Sequence, residues 1–356
     1  MAYKILYIED QKADSREDDL KNLGFEVDSY DPSPDLREVI PKTKERDAII
    51  IDYRLTNGEK NAPYDAPTIA QSIRSIHSSD LMDVPIILMS NENIITDYYN
   101  NFTSQDLFDF SISKAEFNKD TSLFYAKLIS FIQAYKLIKE NKFNLIKIMG
   151  LREEESHLIH SKIMMKLNDV RNSFGYSFLI HNEIINAIGP LIDEDILSAR
   201  LGVSKESKDW HRLLNTLKET RYEGIFSDFY DRWWMEKINI WWKEVIKSDS
   251  SIRRWNSEER VEILKAALQF EDLVPIDKTE YSMSTNFWTI CQYSKTAIDT
   301  FDGVELLNRD YLPWQEKQYL SLDSAVVKID TYKNYISEVD RKTLRKLGAE
   351  INSAKK

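Results

Sequence analysis

Residues 47–55 read DAIIIDYRL, an apolar run from Ala48 to Ile51 that stops on a single carboxylate, Asp52. Its length and its β-branched residues read as a strand. Four similar runs flank it: KILYI (4–8) and VDSY (27–30) before it, PIILMS (85–90) and FDFSIS (108–113) after it. Helical stretches lie between them. SREDDLKNLG (15–24) ends on Gly24, a C-cap signal. PTIAQSIRSI (67–76) puts Ile69, Ile73 and Ile76 on one face. Strands and helices alternating at this spacing predict a parallel sheet wound on both faces. Ligands in such sheets bind at the carboxyl ends of the strands.

Those ends carry the chemistry. Glu9 and Asp10 close the first run, Asp52 the third, Ser90 the fourth and Lys114 the fifth. Singly, each has an ordinary explanation: a solvated loop, a strand-end cap, a surface lysine. Together, along one edge of one sheet, they describe a site.

This arrangement resembles the receiver domain of bacterial response regulators, in ILYIEDQ (5–11), LKNLGFEV (20–27), DAIIIDYRL (47–55), VPIILMSN (84–91) and ISK (112–114). The resemblance covers roughly residues 3–136. It implies a flavodoxin-like α/β fold, a five-stranded parallel sheet in the order 2-1-3-4-5, and Asp52 as phosphoacceptor. An aspartate carboxylate can attack a phosphoryl group as a nucleophile. The transferred group concentrates negative charge, so a hard cation such as Mg²⁺ must offset it. The resemblance assigns that cation to Glu9, Asp10, Asp52 and the backbone carbonyl of Arg54. Ser90 would hydrogen-bond one phosphoryl oxygen, and Lys114 would pair another. A histidine kinase or phosphotransfer protein would be the donor.

The sequence departs from the family pattern beside this site. Ala115 stands where proline usually follows the lysine. Ser111 occupies the aromatic switch position, with Phe110 next to it, and Asn91 replaces the usual small residue. The 52–90 interval is longer than usual, with the extra length in TNGEKNAPYDAP (56–67). Phosphoryl acceptance is expected to survive these changes. Transmission through Asn91, Phe110 and Ser111 is the altered part.

Beyond Asn118 the character changes. We read residues 1–118 as the receiver core, 119–150 as its last helix and a helical linker, and 151–356 as a mainly helical output or interaction domain. No Gly or Pro occurs from 119 to 149. Phe124, Leu128, Phe131, Tyr135, Ile138, Lys142, Leu145 and Met149 keep a 4-3 spacing there. That is the pattern of a buried helix, or of a coiled-coil seam that would make a homodimer.

The strongest downstream feature is YEGIFSDFYDRWWMEKINIWWKEVI (222–246). On a helix it is apolar around most of its circumference. Trp233, Trp234, Trp241 and Trp242 therefore either fill a core or meet a protein partner. DEDILSARLGVSKESKDWHRLL (193–214) has the LGVS of a helix-turn-helix, but Ser198 and Lys208 stand where that motif wants alanine and an apolar residue. A hairpin capped at Gly202 is the simpler reading. EEESHLIHSK (153–162) spaces Glu153 and His157 as a helical metal pair would, with no partner motif following.

Charge narrows the partners. The 356 residues carry a net charge of −11, and residues 1–118 hold 12 Lys+Arg against 23 Asp+Glu, leaving 36 of each for the remainder. Phosphate would repel the first third, so nucleic acid is disfavoured as its partner. Cys291 is the only cysteine, which excludes an intramolecular disulfide. Apolar runs such as VPIILM (84–89) are far too short to span a bilayer. The opening MAYKILYIED enters a strand directly, and we expect a cytoplasmic protein with no membrane partner.

The sequence thus reads as an atypical response regulator acting through a downstream protein partner. No enzymatic output is expected beyond magnesium-dependent self-phosphorylation. The alternatives are a phosphate sink in a phosphorelay, for instance in a defence system, and a DNA-binding regulator.

Overall fold

The computed structural model describes residues 2–10, 14–56, 60, 62–76, 83–101, 105–307 and 310–354. Residues 57–59 and 61 of the enlarged 56–67 loop lie outside that set. Two compact units emerge. The first holds residues 1–154, 161–181 and 224–229; the second holds 155–160, 182–223 and 230–356.

The first unit is built on β1 (Lys4–Ile8), β2 (Glu26–Tyr30), β3 (Ala48–Asp52), β4 (Ile86–Ser90) and β5 (Phe110–Ser113). All are parallel, in the order β2-β1-β3-β4-β5. This is the expected flavodoxin-like order. Every residue of β3 and β4 is buried, as strands covered on both faces must be. The chain winds through α1 (Asp14–Asn22), α2 (Leu36–Val39), α3 (Ala66–Ile76), α4 (Glu92–Asn100), α5 (Lys114–Lys119) and α6 (Thr121–Glu140). Alternation along the strands sorts the two cores. Ile49, Ile51, Ile86 and Leu88 pack with Ile69 and Ile73 of α3, leaving Ile5, Tyr7, Ile50, Ile87 and Met89 for the opposite face.

The 4-3 pattern after Asn118 belongs to α6. Its Phe124, Leu128, Phe131, Tyr135 and Ile138 are buried, within the unit's own core. The helix stops at Asn141, and Lys142 and Phe143 adopt positive φ before α7 (Leu145–Ile148). The heptad-like spacing therefore crosses a break and is no continuous seam. Downstream segments complete the first unit: α8 (Ser161–Leu167), α9 (Ser173–Ile180) and 224–229. The Phe131 ring meets His181 at 4.9 Å and Phe226 at 4.8 Å.

The second unit is mainly helical, with short antiparallel pairs. It contains β6 (Leu191–Ile192), α10 (Glu194–Leu201), α11 (Trp210–Thr216), β7 (Trp233–Trp234), α12 (Met235–Ile246) and α13 (Ser257–Leu268). The less regular stretch that follows carries β8 (Thr289–Ile290), β9 (Ala297–Ile298), β10 (Val304–Glu305) and β11 (Tyr319–Leu320). Helices α14 (Leu322–Val327), α15 (Ile329–Tyr332) and α16 (Glu338–Ala354) end the chain.

The tryptophan-rich segment corrects the sequence reading in one respect and decides between its two alternatives in another. It is not one helix: Trp233 and Trp234 form β7 and pair with Ile192 and Leu191 of β6. Of the two roles left open for its tryptophans, most take the core. Trp233, Trp234 and Trp242 are buried, and only Trp241 is half-buried. Trp242 Nε1 donates to the Ser250 carbonyl at 3.1 Å, whereas Trp233 Nε1 is buried without a hydrogen-bond partner among the described residues.

At LGVS, Gly202 caps α10 in the left-handed conformation (φ 71°). The chain then pairs Val203 with Pro275, and the second helix, α11, starts only at Trp210, too late for a helix-turn-helix turn. The Glu153–His157 pair sits on a 3₁₀ turn, Glu153–Leu158. Residues four apart do not share a face there, because three residues complete a turn.

Candidate functional site

The sheet places the predicted residues on one edge. Ile8 pairs in register with Ile51, so Glu9 and Asp52 are the next residues on neighbouring strands. Asp52 pairs with Met89, and Ser90, the next residue on β4, pairs with Ser113. Lys114 follows Ser113 directly. The order of connections reverses between β1 and β3, the switch point where this topology leaves a crevice. Glu9, Asp10, Asp52 and Ser90 are all buried.

Three of these side chains meet. Lys114 Nζ donates to Asp52 Oδ2 at 2.5 Å and to Glu9 Oε2 at 3.3 Å. The other Asp52 oxygen, Oδ1, accepts the Tyr53 backbone N–H at 2.7 Å. Lys114 is aimed by a local device. The Ser113 hydroxyl oxygen accepts the Glu116 N–H at 3.1 Å, and the Glu116 carboxylate accepts the Ser113 N–H at 2.9 Å. This capping box turns β5 into α5 and puts Lys114 at the first helical position. The S-x-x-E spacing of Ser113 and Glu116 was the signal for it.

A second partner of the site is absent from the sequence expectations. Tyr7 Oη donates to Glu9 Oε2 at 3.0 Å, and Arg16 Nη1 lies 3.6 Å from the same oxygen. Tyr7 lies two residues before Glu9, so both side chains leave β1 on one face. Burial, then the Glu9 charge, raises the Tyr7 phenol well above its ordinary value, so it stays a donor.

Burial and the neighbouring Asp52 carboxylate push Glu9 up to about 7, against the pull of Lys114. Two adjacent buried carboxylates repel each other, so Glu9 holds a proton more readily, and a cation bound between them would relieve the same repulsion. No three acidic, histidine or cysteine side chains among the described residues converge closely enough for an all-protein metal cage. Mg²⁺ does not require one, since it binds through one or two carboxylates and keeps several waters. The Glu9–Asp52 pair fits that demand. Asp10 is buried directly after Glu9, and the Arg54 side chain is exposed.

The switch residues are divided by the sheet. Ser111 pairs with Leu88 and shares the face that carries Ser90. Phe110 points to the opposite face, where its ring lies 5.0 Å from Phe131 and 4.4 Å from Lys127 Nζ. Phe110 therefore does not stand in for the missing aromatic at 111. Asn91 caps α4 without a side-chain hydrogen bond. On the Ser111 face the aromatics come from elsewhere, with Tyr53 and Tyr98 in edge contact at 5.8 Å.

Known structures resemble the N-terminal part of the chain. A two-component response regulator from Clostridium difficile is 22% identical, with 37% of this chain and 96% of that chain covered and a TM-score of 0.27. The receiver domain of a sensor histidine kinase from Pseudomonas aeruginosa PAO1, described with a magnesium ion in its active-site cleft, is 19% identical over 36% of this chain and 98% of that one (TM-score 0.28). A structure described as adenylate cyclase from Rhodopirellula baltica is 18% identical over 41% and 98% (TM-score 0.30). No protein-family model matches the sequence, and no curated protein matches it. Among the described residues, no helix is long and apolar enough to cross a membrane.

Proposed function

We propose that the first unit is a phosphoryl acceptor of the response-regulator type, with Asp52 as the acceptor. The observation that carries this reading is the meeting of Lys114, Asp52 and Glu9 at the carboxyl edge of a doubly wound sheet. An Asp52 oxygen forms a P–O bond as the donor's P–N bond breaks, and the departing imidazole takes up a proton. Lys114 neutralises a phosphoryl oxygen as it moves off the carboxylate. Ser90 offers a hydroxyl from the adjoining strand end. Glu9 and Asp52, with Asp10 beside them, would hold Mg²⁺, which supplies charge neutralisation at the transferred group. The donor is a histidine kinase or a phosphotransfer protein.

The second unit acts by protein contact in this reading. Support comes from large apolar side chains that it leaves in solvent, Phe301 (92% exposed) and Met283 (82%) among them. A second reading, a phosphate sink, draws support from Phe110, which is packed under α6 rather than placed to report on Ser90. Equal partner binding by phosphorylated and unphosphorylated protein would favour the sink.

The acceptor reading is tested on the full chain with Mg²⁺ and a small phosphodonor such as acetyl phosphate. The expected result is a base-labile mass gain of one phosphoryl group, absent in Asp52→Ala. No gain, or the same gain in Asp52→Ala, overturns it.

A further inference from the structure

Three donors converge on one atom. Glu9 Oε2 accepts from Tyr7 Oη at 3.0 Å and Lys114 Nζ at 3.3 Å, and Arg16 Nη1 lies 3.6 Å away. Tyr7 is anchored in a central strand with no exposed surface, and the Lys114 backbone, though not its ammonium, is fixed by a capped turn. Arg16 differs. It stands on α1 with a side chain 26% exposed, and reaches Glu9 at ion-pair rather than hydrogen-bond distance. Its Nη1 also donates to Tyr7 Oη, at 3.5 Å. A neutral hydroxyl orients a carboxylate without neutralising it, whereas a partly exposed guanidinium neutralises it and has solvent to withdraw into.

We propose that Tyr7 and Arg16 set the site's magnesium affinity in opposite directions. Tyr7 is a positioning residue that fixes the Glu9 carboxylate for the cation. Arg16 is a displaceable counter-ion that occupies Glu9 until the cation takes its place. This rests on the magnesium-binding reading above. Hydrogen-bond partners of metal ligands typically govern affinity by about 10- to 100-fold. A partly exposed ion pair is worth a few-fold at most. The cation threshold of the site is therefore built into β1 and α1, away from the strand ends that carry the acceptor.

Calorimetric titration of Mg²⁺ into the full-length protein tests this, with thermal unfolding of the metal-free forms alongside. Tyr7→Phe, which keeps the ring, is expected to weaken Mg²⁺ binding by about tenfold. Arg16→Ala is expected to tighten it by about two- to fivefold, and Arg16→Lys to restore the wild-type value. A loss of affinity in both Tyr7→Phe and Arg16→Ala, or no change in either, overturns the proposal while leaving the acceptor reading intact. A wild-type protein that binds no Mg²⁺ overturns both. If Tyr7→Phe does not fold, the sign of the Arg16→Ala shift decides alone.

Discussion

Lys114 Nζ sits between Asp52 Oδ2 (2.5 Å) and Glu9 Oε2 (3.3 Å), one ammonium shared by two buried carboxylates. The sharing sets two demands against each other. The lysine holds the carboxylates together in the metal-free protein. For phosphoryl transfer it must move onto the incoming group, because Asp52 cannot be both its salt-bridge partner and a free nucleophile.

Removing this cation should separate binding from transfer. In Lys114→Ala, Mg²⁺ is expected to bind at least as tightly, since a competitor for Glu9 and Asp52 is gone. Labelling by a small phosphodonor is expected to slow by about 100-fold, the usual cost of losing one preorganised charge partner of a transition state. Mass spectrometry at timed intervals, with calorimetric Mg²⁺ titration, reads both quantities. Faster labelling would show that the lysine only obstructs the carboxylate.

The raised Glu9 gives the site a pH signature. Its folded value of about 7 lies above its ordinary 4.5, so the metal-free folded state binds the extra proton. The stability from that proton is complete below about 4.5 and is lost as pH rises through about 7. Mg²⁺ must displace the same proton, so its apparent affinity should fall as pH drops below 7. At 100 times its Kd, Mg²⁺ should stabilise the protein by about 2.7 kcal/mol. The Mg²⁺-induced rise in Tm is therefore expected to be larger at pH 8 than at pH 5.5. Equal rises at the two values would contradict the assignment.

The sheet was legible because both of its faces are buried, which leaves short apolar runs that end abruptly on polar residues. Asp52, Ser90 and Lys114 could be placed from those ends alone, and the register then put them on one edge. Tyr7 was hidden by the same rule, because inside KILYI a tyrosine reads as one more strand residue. Its hydroxyl matters through the side chains it meets, Glu9 at 3.0 Å and Arg16 at 3.5 Å, which no strand pattern shows. The 222–246 segment misled because helical and strand readings agree on tryptophan. Only pairing with Leu191 and Ile192, some forty residues away in sequence, separates Trp233 and Trp234 from the helix that follows. The first unit's use of 161–181 and 224–229 left no local trace either, since it depends on contacts such as Ser177 Oγ donating to Asp109 Oδ1 at 3.2 Å.

That aspartate anchors a polar network at the amino end of the sheet. Asp109 accepts from Tyr135 Oη (2.7 Å), Arg74 Nη2 (2.8 Å) and the Ile86 N–H (2.8 Å). Arg74 also donates to Asp83 (3.1 Å), whose other oxygen accepts the Phe174 N–H (2.9 Å). Arg74→Ala strands two buried carboxylates and is expected to cost about 3–5 kcal/mol. Tyr135→Phe, which removes one hydrogen bond to a charged acceptor, should cost about 1.5–3 kcal/mol. Asp52 labelling at low temperature should persist in Tyr135→Phe, because the network and the acceptor sit at opposite strand ends. Circular dichroism melts, read beside the labelling assay, check both halves.

Gly202 tests the second unit independently. A Cβ there would lie 2.7 Å from Ser257 Cα, and the Gly202 φ of +71° is strained for any L side chain. The neighbours cannot easily retreat. The Gly202 carbonyl accepts from Ser257 Oγ at 2.6 Å and from the Ile276 N–H at 3.0 Å, and Ser257 opens α13 behind a capping box. The left-handed backbone should cost Gly202→Ala about 1–2 kcal/mol, and forced repacking about 1–3 kcal/mol more. All eight tryptophans lie in the second unit, so the denaturation midpoint followed by tryptophan fluorescence reports on it directly. That midpoint is expected to fall in Gly202→Ala. An unchanged midpoint would mean that α10 and α13 can separate freely, and that the close approach at Gly202 does not hold the unit together.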